Sequence, residues 1–400
     1  MQKKPSVLIH YTHKGTLGHS TRVHALCHGL SRAGFRVHLL QAGSEQPSIQ
    51  FPRNVVLHPI PYPFDSRLSF HGGRSATSLP LRREFVMKTV RSVNPDIFIT
   101  EFFPFGRADY TPELLPALRH LRQSGKKIYA SIGYPFLVQI YNLAKSGDMD
   151  LTIHLIGLYD QLLIHTPPQL ENSYLRTVLA KPELQTGYDR FFEHIRNKTT
   201  YTGYVLPTED SCPSQIINWP HPAPYHIVIS RGGGAVYPNI IACAIRAHKH
   251  LGEKYRMTIA CGPSTTPEEK KLFEACLSSA DRSRIRLFDH VPGLAQLMRS
   301  CQLSISMCGY NTSVQLLTSG TQSLIVPYIN KTQNEPANDQ QSRALLLKER
   351  INSSVLCYHK LEPADLAAEI RKKCEQPKNF FSPPQEWFSG TARTVEILSH

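Results

Sequence analysis

The chain has 400 residues, which is too long for one hydrophobic core and predicts two domains. Hydrophobic residues make up 41% of the sequence and charged residues 19%, a balance that excludes an intrinsically disordered chain. No apolar run approaches the ~20 residues that a membrane-spanning helix needs. The net charge of +14 is dispersed and accompanies no zinc-finger, RNP or basic-zipper pattern, so we expect phosphorylated ligands and no nucleic acid.

The location of the protein is predicted from its N-terminus and its cysteines. The basic N-terminus precedes an apolar run of only Val7–Ile9, which is too short for a signal peptide. The nine cysteines include no CxxC pair, and their odd number argues for free thiols in a reducing compartment. We therefore expect a cytoplasmic protein, with a peripheral contact at the inner face of the membrane left open.

Short β-branched runs alternate with helical patterns along both halves, which is typical of parallel sheets covered by helices. In the first half, strands are predicted at Val7–Tyr11, Val37–Gln41, Val55–Ile60, Asp96–Thr100, Lys127–Ile132 and Gln161–His165, and helices at 19–33, 81–93, 112–123 and 169–180. In the second half, strands are predicted at Tyr225–Ser230, Met257–Cys261, Ile285–Phe288, Leu303–Met307, Ser323–Pro327 and Val355–Tyr358, and helices at 238–250, 267–279, 293–300, 312–319, 339–348 and 363–374.

These elements predict an N-terminal Rossmann-like domain at 1–205 and a C-terminal one at 225–376. The segment 206–224 between them holds several prolines and little periodicity, as a linker does. The final segment, 377–400, starts with prolines and continues as a helical pattern. We expect it to cross back to the first domain.

A glycine-rich segment lies between the first strand and the first helix. It contains Lys14, Gly15, Thr16, Gly18 and His19. Glycines at such a turn let a ligand approach the backbone, and the helix N-terminus favours negative charge. The imidazole of His19 would accept a proton from an attacking hydroxyl, with a helix cap as the alternative interpretation. The pattern is not GxGxxG, so no dinucleotide fingerprint is predicted.

Similar turns follow strands of the second half. They contain Arg231, Gly232, Gly233 and Gly234 after one strand, His290 and Val291 after another, Gly309, Tyr310, Asn311 and Thr312 after a third, and Gln340 and Arg343 at the start of a later helix. Bare N–H groups at glycines and at a helix N-terminus suit phosphate oxygens, and Asn311 or Thr312 is expected to cap its helix. These positions lie where open α/β sheets bind ligands, although a tight turn without a ligand is the alternative.

No metal site or other cofactor is predicted. His24 and His28 are four residues apart on one helix, but no acidic ligand stands nearby in the sequence. The Asp148–Asp150 pair follows a polar segment, whereas a metal-binding DxD should close a hydrophobic strand.

The spacing of these motifs resembles glycosyltransferase family 28, over most of the chain and most strongly at 9–34, 226–245 and 285–346. The resemblance implies the GT-B fold, an α/β class with two Rossmann-like parallel-sheet domains facing each other across a cleft. It also implies roles for single residues: Gly15, Gly18 and His19 at the acceptor and diphosphate, Gly232 to Gly234 at the opening of the donor domain, Val291 at the base, Gly309 to Thr312 at the diphosphate, Gln315 at the ribose and Gln340 at the donor sugar.

Two residues depart from the family pattern. Gln315 stands where the family has a glutamate that holds the ribose hydroxyls, and an amide offers one acceptor oxygen where a carboxylate offers two. Arg231 adds a charge where small or polar residues are usual. Both departures bear on the identity of the donor.

The predicted function is the inverting, metal-independent transfer of a sugar from a nucleotide diphosphate sugar to an acceptor hydroxyl. UDP is favoured, with UDP-N-acetylglucosamine as one candidate, and the acceptor is either lipid-linked or a small metabolite. His19 is the expected base and Glu101, at the end of a strand, the reserve base. Arg231 and Arg343 would stabilise the leaving group. A sugar-nucleotide epimerase or hydrolase, or a non-catalytic nucleotide-binding module, are the alternatives.

Overall fold

The computed structural model describes residues 4–12, 17–43, 49–62, 78–105, 110–133, 149–170, 189, 191–208, 216, 219, 223–233, 239–279, 281–328, 339–377 and 381–400. The chain divides into two compact units. The first comprises Met1–Pro207 and Gln385–His400, and the second comprises Thr208–Pro384.

The first unit is built on a parallel sheet with the strand order β3-β2-β1-β4-β5-β6-β7. Its strands are β1 (Ser6–Thr12), β2 (Arg36–Ala42), β3 (Val56–Pro59), β4 (Ile97–Glu101), β5 (Lys127–Ile132), β6 (Gln161–Ile164) and β7 (Thr199–Tyr201). Its described helices up to β7 are α1 (Leu17–Arg32), α2 (Ser78–Val93), α3 (Thr111–Gln123) and α4 (Met149–Ile156). All seven residues of β1 are buried, as expected for a central parallel strand covered on both faces.

The second unit is a parallel sheet with the order β10-β9-β8-β11-β12-β13. Its strands are β8 (Tyr225–Ser230), β9 (Tyr255–Ala260), β10 (Ile285–Phe288), β11 (Leu303–Ser306), β12 (Ser323–Ile325) and β13 (Ser353–Val355). Its described helices are α5 (Asn239–His248), α6 (Pro267–Cys276), α7 (Leu294–Ser300), α8 (Tyr310–Ser319), α9 (Asp339–Arg350) and α10 (Pro363–Cys374). A capping box between Thr266 and Glu269, followed by a proline at the first helical position, sets the start of α6.

The C-terminal helix α11 (Gly390–Ser399) belongs to the first unit, where it packs against α1. A Cβ on Gly29 of α1 would collide with Thr391, so the glycine permits this close approach. Just before α11, the Tyr204 amide donates to the Trp387 carbonyl at 2.6 Å. The described part of the C-terminal segment therefore completes the first unit.

Most predicted elements form where the sequence pattern places them. The strands predicted at Lys127–Ile132, Tyr225–Ser230 and Ile285–Phe288 coincide with β5, β8 and β10. Two elements were not predicted, α4 and β7, because a three-residue edge strand such as β7 carries no periodicity to detect. The helix predicted at 169–180 lies outside the described residues except for its first two positions, as does most of the predicted linker at 206–224.

Position 203 follows β7, packs against the C-terminal segment and requires a glycine. Its φ is +80°, and a Cβ there would lie 2.9 Å from the carbonyl oxygens of Glu386 and Trp387. Gly125 also has a positive φ, +68°, but its Cβ would meet nothing within 4 Å. An alanine at position 125 would therefore introduce backbone strain alone, whereas an alanine at position 203 would introduce both backbone strain and a collision.

We expect Gly203→Ala to lower the midpoint of thermal unfolding well below that of the matched control Gly125→Ala. The control carries only the left-handed backbone cost of roughly 1–2 kcal/mol, whereas Gly203→Ala adds a collision that displaces the C-terminal segment. Thermal unfolding of the whole chain, together with limited proteolysis near residue 385, measures the difference. Equal midpoints for the two variants would contradict this account.

Candidate active site

The crevice at the carboxyl ends of β1 and β4 is the place in the first sheet where a ligand is expected to bind. β2 and β3 lie on one side of β1, and β4 to β7 lie on the other, so successive connections diverge at this point. α1 follows β1 and carries His19 in its first turn, while Glu101 is the last residue of β4. The order of the strands thus brings together two residues that are 82 positions apart.

His19 and Glu101 are in direct contact. His19 Nδ1 lies 2.8 Å from Glu101 Oε1, and the Arg22 guanidinium contacts the same carboxylate oxygen. Ser131 Oγ, at the matching register on β5, donates to the other oxygen at 2.6 Å. The Glu101 side chain is only 2% exposed, whereas that of His19 is 20% exposed. His19 is therefore the member of this group that is accessible to a substrate.

The surroundings of Glu101 hold it in the ionised form. Burial by itself would raise the pKa of this carboxyl, but the charge of Arg22 and the hydrogen bond from His19 outweigh burial and lower the pKa to about 2. A carboxylate only accepts hydrogen bonds, and its 2.8 Å contact with His19 Nδ1 is shorter than the 3.3 Å contact of the Arg22 guanidinium with the same nitrogen, so we assign the proton of neutral His19 to Nδ1. The lone pair then lies on Nε2, as a general base requires.

Two neighbours shape the position of this pair. A Cβ on Gly133 would overlap the Arg22 guanidinium, so the glycine makes room for the buried cation. Phe102 follows Glu101 with a φ of +64°, a left-handed conformation that is strained for a non-glycine residue. Its ring meets His19 edge to face at 5.2 Å between centroids. The backbone strain is located at the residue that packs against the accessible histidine.

The geometry corrects the expected role of Glu101. Because its carboxylate is buried and already accepts from His19, Arg22 and Ser131, it orients His19 and is not an accessible reserve base. Gly18 is half-buried with open space where a Cβ would project. Lys14, Gly15 and Thr16, which were expected to line the same loop, lie outside the described residues.

Sequence reasoning missed Arg22, Ser131 and His165 in this region. Arg22 had a detectable signal, because it follows His19 by three positions on a helix and must share its face. Ser131 and His165 had none. Ser131 lies in β5 and His165 just after β6, in segments typical of ordinary apolar strands, and only the pairing of β4, β5 and β6 aligns them with Glu101.

In the second unit the divergence lies between β8 and β11, where the glycine-rich turns meet. Ser230 and Ser306 end these strands in register. Gly232, with a φ of +79°, follows β8, and a Cβ on it would lie 3.5 Å from Thr312 Oγ1 in the first turn of α8. The carboxyl edge of this sheet therefore places a glycine turn beside a helix N-terminus, an arrangement that suits an anion.

A glycine caps the N-terminus of α8. The helix begins at Tyr310 with Gly309 as its N-cap, so the expected capping role of Asn311 or Thr312 is wrong, and both lie within the first turn. A Cβ on Gly309 would meet nothing within 4 Å. The first N–H groups of a helix have no intrahelical acceptor, and the space where a Cβ of Gly309 would project lies beside them.

Arg231 does not present its charge to this edge. Its Nε donates to the Cys261 carbonyl, Nη1 to Glu269 and Nη2 to Thr265, each at 2.9 Å, and its side chain is fully buried. The predicted contact with a leaving group does not fit this geometry. Arg231 instead fixes the turn after β8 to the turn after β9. Ser264 strengthens the same link by donating to the Gly233 carbonyl at 3.1 Å.

Gln340 and Arg343 also bind backbone. Gln340 Oε1 accepts from the amides of Cys308 at 3.3 Å and Tyr328 at 3.0 Å, and buried Arg343 donates to the Cys308 carbonyl at 2.9 Å. These bonds tie α9 to the turns after β11 and β12. The amide oxygen predicted to contact a donor sugar, and the guanidinium predicted to meet the leaving group, thus hold the turn that precedes Gly309.

The other predicted residues of the second unit line its carboxyl edge. Tyr310 and Thr312 are buried in the first turn of α8, while Asn311 and Gln315 are half-buried one turn apart on the same helix. After β10, His290 is exposed and Val291 is buried. Gly234 lies outside the described residues.

The described residues contain neither a metal-ligand cluster nor a membrane-spanning helix. Within the described ranges, no three His, Cys, Asp or Glu side chains lie close enough to hold a metal ion together. His24 and His28 do meet, with ring centroids 4.5 Å apart. None of the helices in these ranges has the length and apolar character needed to cross a membrane.

We expect Glu101→Gln to lower stability near neutral pH and to lose that effect in acid. The folded pKa of about 2 lies below the ordinary 4.5, so this carboxylate contributes stability that is complete above about pH 4.5 and disappears as the pH falls through about 2. Thermal midpoints of the wild type, Glu101→Gln and the exposed control Glu386→Gln between pH 7 and 3 measure the effect. A wild-type advantage over Glu101→Gln that stays constant or grows toward pH 3 would be inconsistent with the ion pair.

The second half of the chain resembles a known family. Residues 226–392 match the glycosyltransferase family 28 C-terminal domain. Among curated proteins, none matches the sequence significantly.

Solved structures resemble the whole chain at low sequence identity. CalG4, the calicheamicin glycosyltransferase, has a TM-score of 0.63 at 12% identity, over 100% of this chain and 98% of its own. Arabidopsis thaliana UGT89C1 complexed with UDP-L-rhamnose has a TM-score of 0.63 at 14% identity, covering 100% and 99%. MurG of Acinetobacter baumannii has a TM-score of 0.53 at 14% identity, covering 98% and 99%. The expected GT-B fold is confirmed, and residues 226–392 of this chain match the glycosyltransferase family 28 C-terminal domain.

Proposed function

We propose that this chain transfers a sugar from a nucleotide diphosphate sugar to an acceptor hydroxyl, with inversion at the anomeric carbon. The observation that carries the proposal is the contact between His19 Nδ1 and the buried Glu101 carboxylate at the carboxyl edge of the first sheet. This contact leaves the lone pair of neutral His19 on Nε2, as a general base requires.

The chemistry needs one proton acceptor and one stabilised leaving group. His19 Nε2 takes the proton of the acceptor hydroxyl, whose oxygen attacks the anomeric carbon as the bond from that carbon to the diphosphate breaks. The imidazolium that forms is stabilised by the Glu101 carboxylate. A single displacement of this kind inverts the configuration at the anomeric carbon, because attack and departure occur on opposite faces.

The leaving diphosphate is assigned to the N-terminus of α8. Gly309 leaves open space at this helix start, and the turn after β8 adds Gly232 beside it. Backbone N–H groups and the helix dipole stabilise the developing charge, so we propose that the reaction needs neither a metal ion nor another cofactor.

For the donor we favour a UDP-sugar that carries a hexosyl or N-acetylhexosaminyl group. A similar fold, UGT89C1, is known in complex with UDP-L-rhamnose. Gln315 lies one turn after Asn311 and offers one acceptor oxygen, so we expect the ribose hydroxyls to be held less strongly than by a carboxylate.

The acceptor is proposed to be lipid-linked or a small metabolite, on the cytoplasmic side of a membrane. The net charge of +14 supports a peripheral contact with anionic lipids. Tyr134–Val138, the apolar stretch considered for such a contact, lies outside the described residues.

Nucleotide binding is tested by calorimetry with UDP, GDP and TDP without added metal. We expect UDP to bind most tightly, Gly309→Trp to abolish binding by filling the open space, and the matched control Gly309→Ala to retain it. The alanine fits because a Cβ meets nothing within 4 Å and the φ of −62° is ordinary. Failure of all three nucleotides to bind would refute the assignment of the donor site.

The base is tested by His19→Gln, assayed with a panel of UDP-sugars and analysis of the products. We expect the turnover number to fall by about 10²–10⁴-fold, the contribution of a general base, with UDP affinity unchanged. His24→Gln, on the same helix, is the control and should turn over normally. Full turnover by His19→Gln would remove His19 as the base, and products of hydrolysis or epimerisation alone would favour those reactions.

A further inference from the structure

A chain of buried hydrogen bonds extends from Glu101 across the carboxyl end of the first sheet. Ser131 Oγ on β5 lies 2.6 Å from Glu101 Oε2 and 3.1 Å from His165 Nε2, just after β6. His165 Nδ1 lies 2.7 Å from Thr202 Oγ1, just after β7. All four residues are at most 4% exposed. This hydrogen-bond chain runs across the carboxyl ends of four adjacent strands, β4 to β7.

The chemistry of the end group assigns a direction to every bond. Glu101 is a carboxylate and only accepts, so Ser131 must spend its single proton on Glu101. Ser131 can then only accept from His165, which places the His165 proton on Nε2. His165 Nδ1 is left with a lone pair, and Thr202 donates to it, since the 2.7 Å contact is shorter than the 3.1 and 3.3 Å contacts of Thr202 with carbonyls.

His165 stays neutral in this setting, as the assignment requires. Burial, together with the charge of Arg22, lowers the pKa of His165 to about 3. A neutral imidazole has one donor and one acceptor, and both are used by the chain. All the bonds therefore run from Thr202 toward Glu101, and bonds aligned in this way polarise and strengthen one another.

We propose that Ser131, His165 and Thr202 are positioning residues that fix the Glu101 carboxylate and, through it, the Nδ1–H tautomer of His19. The inference rests on the proposed function, because it assigns these residues to the base of that reaction. Ser131 holds Glu101 Oε2, so that Oε1 is the oxygen that accepts from His19 and Arg22. A carboxylate free to rotate would not favour one His19 tautomer as strongly.

The C-terminal segment contacts Thr202, the end of the hydrogen-bond chain that lies farthest from Glu101. Ser389 Oγ donates to the Thr202 carbonyl at 3.2 Å, and the Gly390 amide donates to the Tyr204 carbonyl at 3.0 Å. These bonds surround the residue that starts the hydrogen-bond chain. Docking of residues 385–400 on the first unit therefore holds Thr202 in the place where it can donate to His165.

The first test measures the tautomer and requires no substrate. In ¹⁵N-histidine-labelled full-length protein, the His19 signals are assigned by their absence from His19→Gln, and long-range ¹H–¹⁵N spectra report which ring nitrogen is protonated. We expect the wild type to show protonated Nδ1 and Ser131→Ala to show a mixture of both tautomers. Ser304→Ala is the control, since Ser304 is a buried strand serine whose hydroxyl makes no hydrogen bond in the second unit.

The second test separates positioning from folding. We expect Ser131→Ala to lower kcat by about 10- to 100-fold, the effect of one lost hydrogen bond to a charged group, with KM unchanged. Thr202→Val loses a bond to neutral His165, so we expect kcat to fall by about 2- to 10-fold, again with KM unchanged. Thr202→Ser keeps the hydroxyl and should restore both kcat and the tautomer. A general loss of structure would instead change KM and unfold Thr202→Ser as readily as Thr202→Val.

Two results distinguish the failure of this inference from the failure of the proposed function. A Ser131→Ala variant with an unchanged His19 tautomer and the kcat of Ser304→Ala would overturn the positioning role while leaving sugar transfer intact. If the wild type transfers no sugar but the Ser131→Ala variant still has a shifted His19 tautomer, the positioning role is supported and the proposed reaction is overturned.

Discussion

The buried carboxylate of Glu101 is the feature on which the first unit's candidate site depends. An isolated charge in a protein interior is costly, and Glu101 is tolerated because Arg22, His19 and Ser131 all contact its two oxygens. The same contacts decide which way His19 faces. Glu101 must be paired because it is buried, and the same pairing orients His19, the accessible member of this group.

The surrounding fold supplies space and direction for this cluster. Gly133 leaves room for the Arg22 guanidinium, and the left-handed backbone of Phe102 turns the chain immediately after Glu101. Both features lie at the carboxyl ends of neighbouring strands, β4 and β5. Backbone strain and a missing side chain are unfavourable in an ordinary strand, and their place beside His19 is consistent with a functional constraint.

In the second unit, polar side chains fix the turns at the carboxyl edge of the sheet. Its charged and amide side chains, Arg231, Arg343 and Gln340, bind backbone atoms of the turns that follow β9, β11 and β12. With these turns fixed, Gly232 lies beside the first turn of α8, and Gly309 leaves open space at the start of that helix. An anion there would meet oriented N–H groups that need no rearrangement, which is the condition under which backbone dipoles stabilise charge well.

The sequence by itself determined the class of fold, the strands of both sheets except β7, and the residues near most strand ends. Apolar runs of strand length, helical periodicity and glycines after strands are local signals, and they located His19, Gly232 and Gly309 correctly within the topology. Only the tertiary structure decided what the polar residues contact. Arg231 appeared from the sequence to be a cation for a leaving group and is a buried backbone anchor, and Glu101 appeared to be a reserve base and is a buried orienting group. Ser131, His165 and Thr202 gave no sequence signal, because their alignment with Glu101 arises from the lateral order of β4 to β7, which local patterns do not encode.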